Sequence, residues 1–173
     1  MIRIQKIPKT IALKRTKLID VFCLSIFILF TVSSCSKGEA YYQFKQIKNG
    51  DWVIDNVLSF NIDSADVQVG VPYDISVEIT NNTNYPYQNL WLFSEYYKGD
   101  SIISKRKDEF LIADEYGQWK GYGFGSLYQN SYTVLQAVRF DTIHDDIIYI
   151  RHGMTDKILH GIEKIGLRII ESK

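Results

Sequence analysis

The residues that could carry chemistry are few, and their spacings narrow the choices. The histidines are His144, His152 and His160. A gap of eight suits neither a helical zinc pair nor a tight ligand loop. Asp141, Asp145 and Asp146 cluster around His144, and a hard cation such as calcium favours oxygens of that kind. The EF-hand spacing is absent, however, and the run reads equally well as a solvated turn between strands. No Gly-x-Ser-x-Gly elbow appears, so no serine is marked as a nucleophile. Gly121-Tyr122-Gly123-Phe124-Gly125 is the most conspicuous local pattern. A phosphate-binding loop would need a following Lys-Ser/Thr pair, which is missing. Alternating glycines instead suit a corner or the close approach of a neighbouring backbone. Loops on a rigid scaffold commonly carry recognition. Trp119, Gly121, Tyr122, Gly123, Phe124 and Gly125 are therefore the candidate docking loop. Trp119 reads equally as a packed ring or as an aromatic platform for a sugar. The expectation is a protein without catalytic residues, cofactor or metal.

Thiol chemistry is limited by where the two cysteines fall. Residues 1–17 carry six basic side chains and no acidic one. The apolar run Val21–Val32 follows, 12 residues long and broken only by Ser25 and Thr31. A spanning helix needs about 20 residues, so the pattern is a basic n-region and a short h-region of an export signal. The run ends in Val32-Ser33-Ser34-Cys35, small residues before a cysteine, as in a bacterial lipobox. Cys23 would leave with the leader, and Cys35 would become the lipidated first residue. Buried acyl chains contribute about 0.8 kcal/mol per CH₂, enough for stable anchoring by several chains. No thiol then remains for a disulfide, so the mature domain must be held by its core.

Three segments follow: a cleaved leader over 1–34, a lipidated tether over 35–40 and one domain over 41–173. Of 173 residues, 139 remain after the leader. That length suits a single domain burying roughly 70% of its unfolded surface. The mature part has 14 basic and 19 acidic side chains, a net charge of −5. Such a surface repels phosphates and disfavours nucleic acid as a partner.

The elements that must position any site are strands. Tyr73-Asp74-Ile75-Ser76-Val77-Glu78-Ile79-Thr80 alternates strictly, which places Tyr73, Ile75, Val77 and Ile79 on the core side. Asn81–Asn84 ends that strand in a turn. Further strands are expected over Trp52–Ile62, Leu90–Tyr97, Asp108–Ala113, Val134–Phe140, Ile147–His152 and Gly166–Ile170. Pro72 and Pro86 each read as a strand entry or a turn. Trp52 and Trp91 are expected in the core, since aromatic side chains pack well on pleated faces. Short strands with turns between them, and no long 3.6-residue period, predict an all-β antiparallel β-sandwich, jelly-roll or Ig-like.

Several segments together resemble the GldH-type gliding-motility lipoproteins of Bacteroidetes. They are Tyr85-Pro86-Tyr87-Gln88-Asn89-Leu90-Trp91-Leu92, Gly117-Gln118-Trp119-Lys120-Gly121 with Gly123 and Gly125, and Val138-Arg139-Phe140. Tyr149-Ile150-Arg151-His152-Gly153-Met154, Leu159-His160-Gly161-Ile162 and Ile165-Gly166-Leu167-Arg168 follow in the same order. Tyr41-Tyr42 and Trp52 fit as well. The chain departs from the pattern at Asp141–Asp146, where the family often has Pro and Gly, and at Met154-Thr155, where it has Met-Arg. The resemblance implies an accessory lipoprotein of the envelope machinery for gliding, tied to a protein secretion system. Its partners would be the membrane, through lipid on Cys35, and other envelope proteins. Ser36 lacks the aspartate of inner-membrane retention, and Lys37 and Glu39 resemble a sparse surface-export signal. The outer membrane is the expected location, on either face. The alternative is a surface or periplasmic β-sandwich that binds a ligand such as a glycan.

Overall fold

The structure is a computed structural model that describes residues 38–140 and 146–173. Cys35, the leader, Asp141, His144 and Asp145 lie outside the described residues.

Among the described residues, eleven strands form in chain order: β1 (Glu39–Gln46), β2 (Asp51–Val53), β3 (Leu58–Ile62), β4 (Pro72–Asn82), β5 (Asn89–Lys98), β6 (Ser101–Leu111), β7 (Tyr122–Phe124), β8 (Leu127–Arg139), β9 (Asp146–His152), β10 (Ile158–His160) and β11 (Ile162–Glu171). They pair antiparallel in a five-stranded sheet, β1-β11-β4-β8-β7, and a four-stranded sheet, β3-β9-β5-β6. A two-stranded ribbon, β10-β2, accompanies them. The expected antiparallel β-sandwich is the observed fold.

The core lies between the two larger sheets. Tyr73, Ile75, Val77 and Ile79 are buried, as their alternation predicts. Ile165, Leu167 and Ile169 of β11 share their face. Phe60, Leu90, Leu92, Ile148 and Ile150 come from the other sheet. Phe110 of β6 meets Tyr132 of β8, ring centroids 5.0 Å apart, and the Tyr132 hydroxyl donates to the Leu111 carbonyl at 2.7 Å. Each fully buried large apolar side chain contributes roughly 1.5–3 kcal/mol.

Trp52 fixes one end of the sandwich. It is fully buried, and its indole N–H donates to the Asn56 carbonyl at 2.8 Å. His152, also fully buried, meets the indole edge-on at 5.3 Å. Desolvation lowers the His152 pKa, against a partial offset from the Trp52 backbone.

The structure departs from the sequence reading at several elements. Trp52–Ile62 is two strands, because Asn56 N–H bonds to the Val53 carbonyl and closes a turn between β2 and β3. β6 and β8 begin well before the expected Asp108 and Val134. The early half of β6 carries polar residues tolerated on an edge strand, and that of β8 is paired with β7. Glu39 and Ala40, expected in the tether, already lie in β1. Trp91 is not in the core. It lies half-buried on the outer side of β5, with the Lys107 ammonium 4.6 Å from its ring centroid. Pro72 opens β4, and Pro86 lies in the connection to β5.

Candidate binding face

β4 is buried on both sides. Ser76, Glu78 and Thr80 point away from the core, yet are only 6, 2 and 3% exposed. Alternation alone would leave them in solvent. Their neighbours on β11 and β8 explain the difference. Glu78 lies between Gly166 and Ser131, and Thr80 between Lys164 and Gln129. Phe44 of β1 lies opposite Gly166. A Cβ on Gly166 would come within 2.6 Å of the Phe44 ring. The missing side chain thus lets that ring fold inward toward Glu78. Glycine inside a strand commonly marks such a close approach.

The result is an open groove of about 810 Å³ on the outer face of the five-stranded sheet. Glu78 and Thr80 form its floor, flanked by Lys164, Arg168, Gln129 and Ser131. The Glu78 carboxylate is held by neutral donors. Ser131 donates to Oε1 at 2.7 Å and Gln129 to Oε2 at 3.2 Å. The same Gln129 amide reaches the Tyr42 hydroxyl at 3.2 Å. Thr80 Oγ1 has no hydrogen-bond partner among the described residues. The Lys164 ammonium lies 4.2 Å from the Phe44 ring centroid. The Arg168 guanidinium lies 5.7 Å from the Tyr42 ring, and its Nε is 3.4 Å from a Glu39 oxygen. That is an ion contact rather than a hydrogen bond.

One wall of the groove is the glycine-rich segment. Tyr122–Phe124 is strand β7, not a loop, and it pairs with Leu127–Gln129. Gly125 and Ser126 make the two-residue turn, and Gly125 has φ +63°. A positive φ at the first central residue alone is the type II′ pattern that suits strand twist. Gly121, at φ +95°, would place a Cβ 2.4 Å from the Gln129 carbonyl oxygen. Gly123 would place one 2.9 Å from the Tyr128 ring. The segment is therefore both a corner and a close backbone approach. Its alternate side chains, Tyr122 and Phe124, are 93% and 90% exposed. Trp119 is different. Its ring is half-buried, 5.9 Å from Tyr128 and 6.4 Å from Tyr85, so it packs at the base of the hairpin.

The structure thus brings Gly121, Tyr122, Gly123, Phe124 and Gly125 to one rim and directs Trp119 inward. Sequence reasoning missed the floor: Glu78, Thr80, Lys164 and Arg168. Glu78 and Thr80 looked like the wet side of a half-buried strand. The available signal was Gly166, a glycine in the middle of a strand, between the apolar Ile165 and Leu167.

The outer face of the β-sandwich is thus a groove with a polar floor beneath an aromatic rim. The chain belongs to the GldH lipoprotein family, whose model matches residues 39–169. It is thus a lipoprotein, lipid-anchored in the cell envelope. It is 29% identical over 154 residues to the gliding motility lipoprotein GldH homolog of Christiangramia forsetii, covering 85% of this chain and 93% of that one. It is 24% identical over 162 residues to the gliding motility lipoprotein GldH of Flavobacterium johnsoniae, covering 90% and 97%.

Several family-type segments meet in space. A Cβ on Gly161 would lie 2.4 Å from the Tyr85 amide nitrogen, and Tyr85 in turn packs on Trp119. The Tyr85 hydroxyl donates to the Asn89 carbonyl at 2.7 Å, and Tyr87 to Asp156 at 2.6 Å. These segments build the scaffold beneath the rim.

Proposed function

We propose that the protein is a non-catalytic accessory subunit of the gliding-motility and secretion machinery of the envelope, held at the outer membrane by lipid on Cys35. It docks onto other envelope proteins through the β7 hairpin. The observation that carries this reading is the exposure of Tyr122 and Phe124 on a rigid, glycine-framed strand. Large rings held in solvent mark interaction sites, and aromatic anchors dominate binding energy at interfaces. The relatives' role in gliding supports the choice of machinery.

The test is crosslinking in cells followed by pull-down, with wild type, Cys35→Ser and a Tyr122→Ala/Phe124→Ala double variant. A reproducible set of envelope neighbours that is lost in both variants is expected. Neighbours that persist without the two rings would remove the hairpin from the interface. No repeatable neighbour for folded, membrane-bound protein would end the subunit reading.

A further inference from the structure

We propose that the groove over Glu78 and Thr80 binds an acidic glycan, a sugar chain carrying a carboxylate or phosphate on some of its rings. The inference goes beyond partner docking and stands without it.

The floor is polar where the middle of a protein interface is commonly apolar. Glu78 and Thr80 lie on it, two residues apart along β4. Thr80 is 3% exposed, and its hydroxyl has no partner among the described residues. Both neighbours across the sheet, Lys164 and Gln129, are groove-lining residues, which places that hydroxyl on the groove side. A buried hydroxyl left unmet is costly, and a ligand hydroxyl that displaces the long Lys164 or Gln129 side chain beside it would meet it. The Ser131, Gln129 and Glu78 chain beside it offers both donors and acceptors, as a polyhydroxyl ligand requires. Tyr42 and Tyr122 add exposed flat rings at opposite sides, against which the C–H faces of sugar rings can lie.

Charge selects the type of sugar. Lys120, Lys164 and Arg168 line the groove against the single acid Glu78. Lys120 and Lys164 have no carboxylate at ion-pair distance among the described residues. Yet residues 38–173 carry 13 basic and 19 acidic side chains. A positive groove on an acidic body attracts an anion to that place and repels it elsewhere. Two lysines, with Arg168 already in ion contact with Glu39, suit a chain with intermittent charge better than nucleic acid, with its phosphate at every residue. Lys164, Thr80, Gln129 and Tyr122 lie in one row across four strands. Three strand spacings give a run of about 14 Å, the scale of a short oligosaccharide.

The experiment is isothermal titration of the full lipoprotein in neutral detergent. The probes are hyaluronan tetrasaccharide, which bears carboxylates, a phosphorylated oligomannose, which bears phosphates alone, and neutral chitotetraose. Binding of at least one acidic probe, roughly tenfold tighter than chitotetraose, is expected. Thr80→Val keeps the shape and removes the hydroxyl; it should weaken binding about tenfold. Lys164→Gln should weaken binding and flatten its salt dependence. Lys107→Gln, on the opposite sheet, should change nothing. Which acidic probe binds tells carboxylate from phosphate. Equal or absent binding of all three probes overturns the proposal, as does binding indifferent to both groove variants. Crosslinked neighbours that survive Thr80→Val and Lys164→Gln would leave the docking reading intact whatever the sugars do.

Discussion

Replacing Gly161 by alanine should be among the most damaging single-methyl changes in the domain. Gly161 joins β10 to β11 at φ +85°. A non-glycine residue held in the left-handed region costs about 1–3 kcal/mol. The new Cβ would also lie 2.4 Å from the Tyr85 nitrogen, 2.6 Å from its Cα and 2.9 Å from the Asn84 carbonyl carbon. All three are backbone atoms, so no side chain can rotate away. Two hydrogen bonds fix the same residue: Gly161 N–H to the Gly50 carbonyl at 2.8 Å, and Asn82 N–H to the Gly161 carbonyl at 2.9 Å. Moving the backbone to relieve the clash strains both, at about 1 kcal/mol each. The expected loss is about 3–5 kcal/mol, or a Tm drop of roughly 10–20 °C. The control is Gly125→Ala, where φ is +63° but nothing lies within 4 Å of the new methyl group. It should lose only about 1–2 kcal/mol. Urea and thermal unfolding followed by circular dichroism provide the measurement. If Gly161→Ala falls within about 1 kcal/mol of Gly125→Ala, the argument from backbone contact is refuted.

Trp52→Ala should cost about 3–5 kcal/mol in chemical unfolding, since it empties a fully buried indole site and frees the Asn56 carbonyl. His152 predicts a pH dependence of a particular sign. Its folded pKa is lowered from 6.5, so below that value the unfolded chain binds more protons than the native one. Stability should fall as pH drops through about 6.5 toward the folded pKa, by at most about 1.4 kcal/mol per pH unit, and His152→Gln should remove that component of the slope. Tyr122→Ala with Phe124→Ala should shift stability by no more than about 0.5 kcal/mol, because both rings are in solvent. A larger change in thermal unfolding would show that they support the fold. Gly123→Val should instead destabilise the domain, by about 1–3 kcal/mol, by forcing the Tyr128 ring aside.

The sequence by itself determined a good deal. The period-two run Tyr73–Thr80 marked the central strand and the four side chains it buries, because strand pleating is a local property. The leader, the absence of further thiols and the ordered motifs gave the lipoprotein class without coordinates. Tertiary structure alone decided the rest. Glu78 and Thr80 share the wet side of that alternation with Asp74, yet they are buried and Asp74 is not. What covers Glu78 is Phe44 folded over Gly166, a contact between strands some 120 positions apart in the chain, and Thr80 lies between Lys164 and Gln129. Trp119 and Tyr122 are three residues apart and equally aromatic. One packs on Tyr85 and Tyr128, while the other stands in water on β7. Trp52 and Trp91 divide the same way, into a closed end and an outer face beneath Lys107. Composition shows that a ring will be placed on a sheet. Which face it takes, and what covers that face, depends on register and on neighbours brought from distant strands, and no local pattern encodes those.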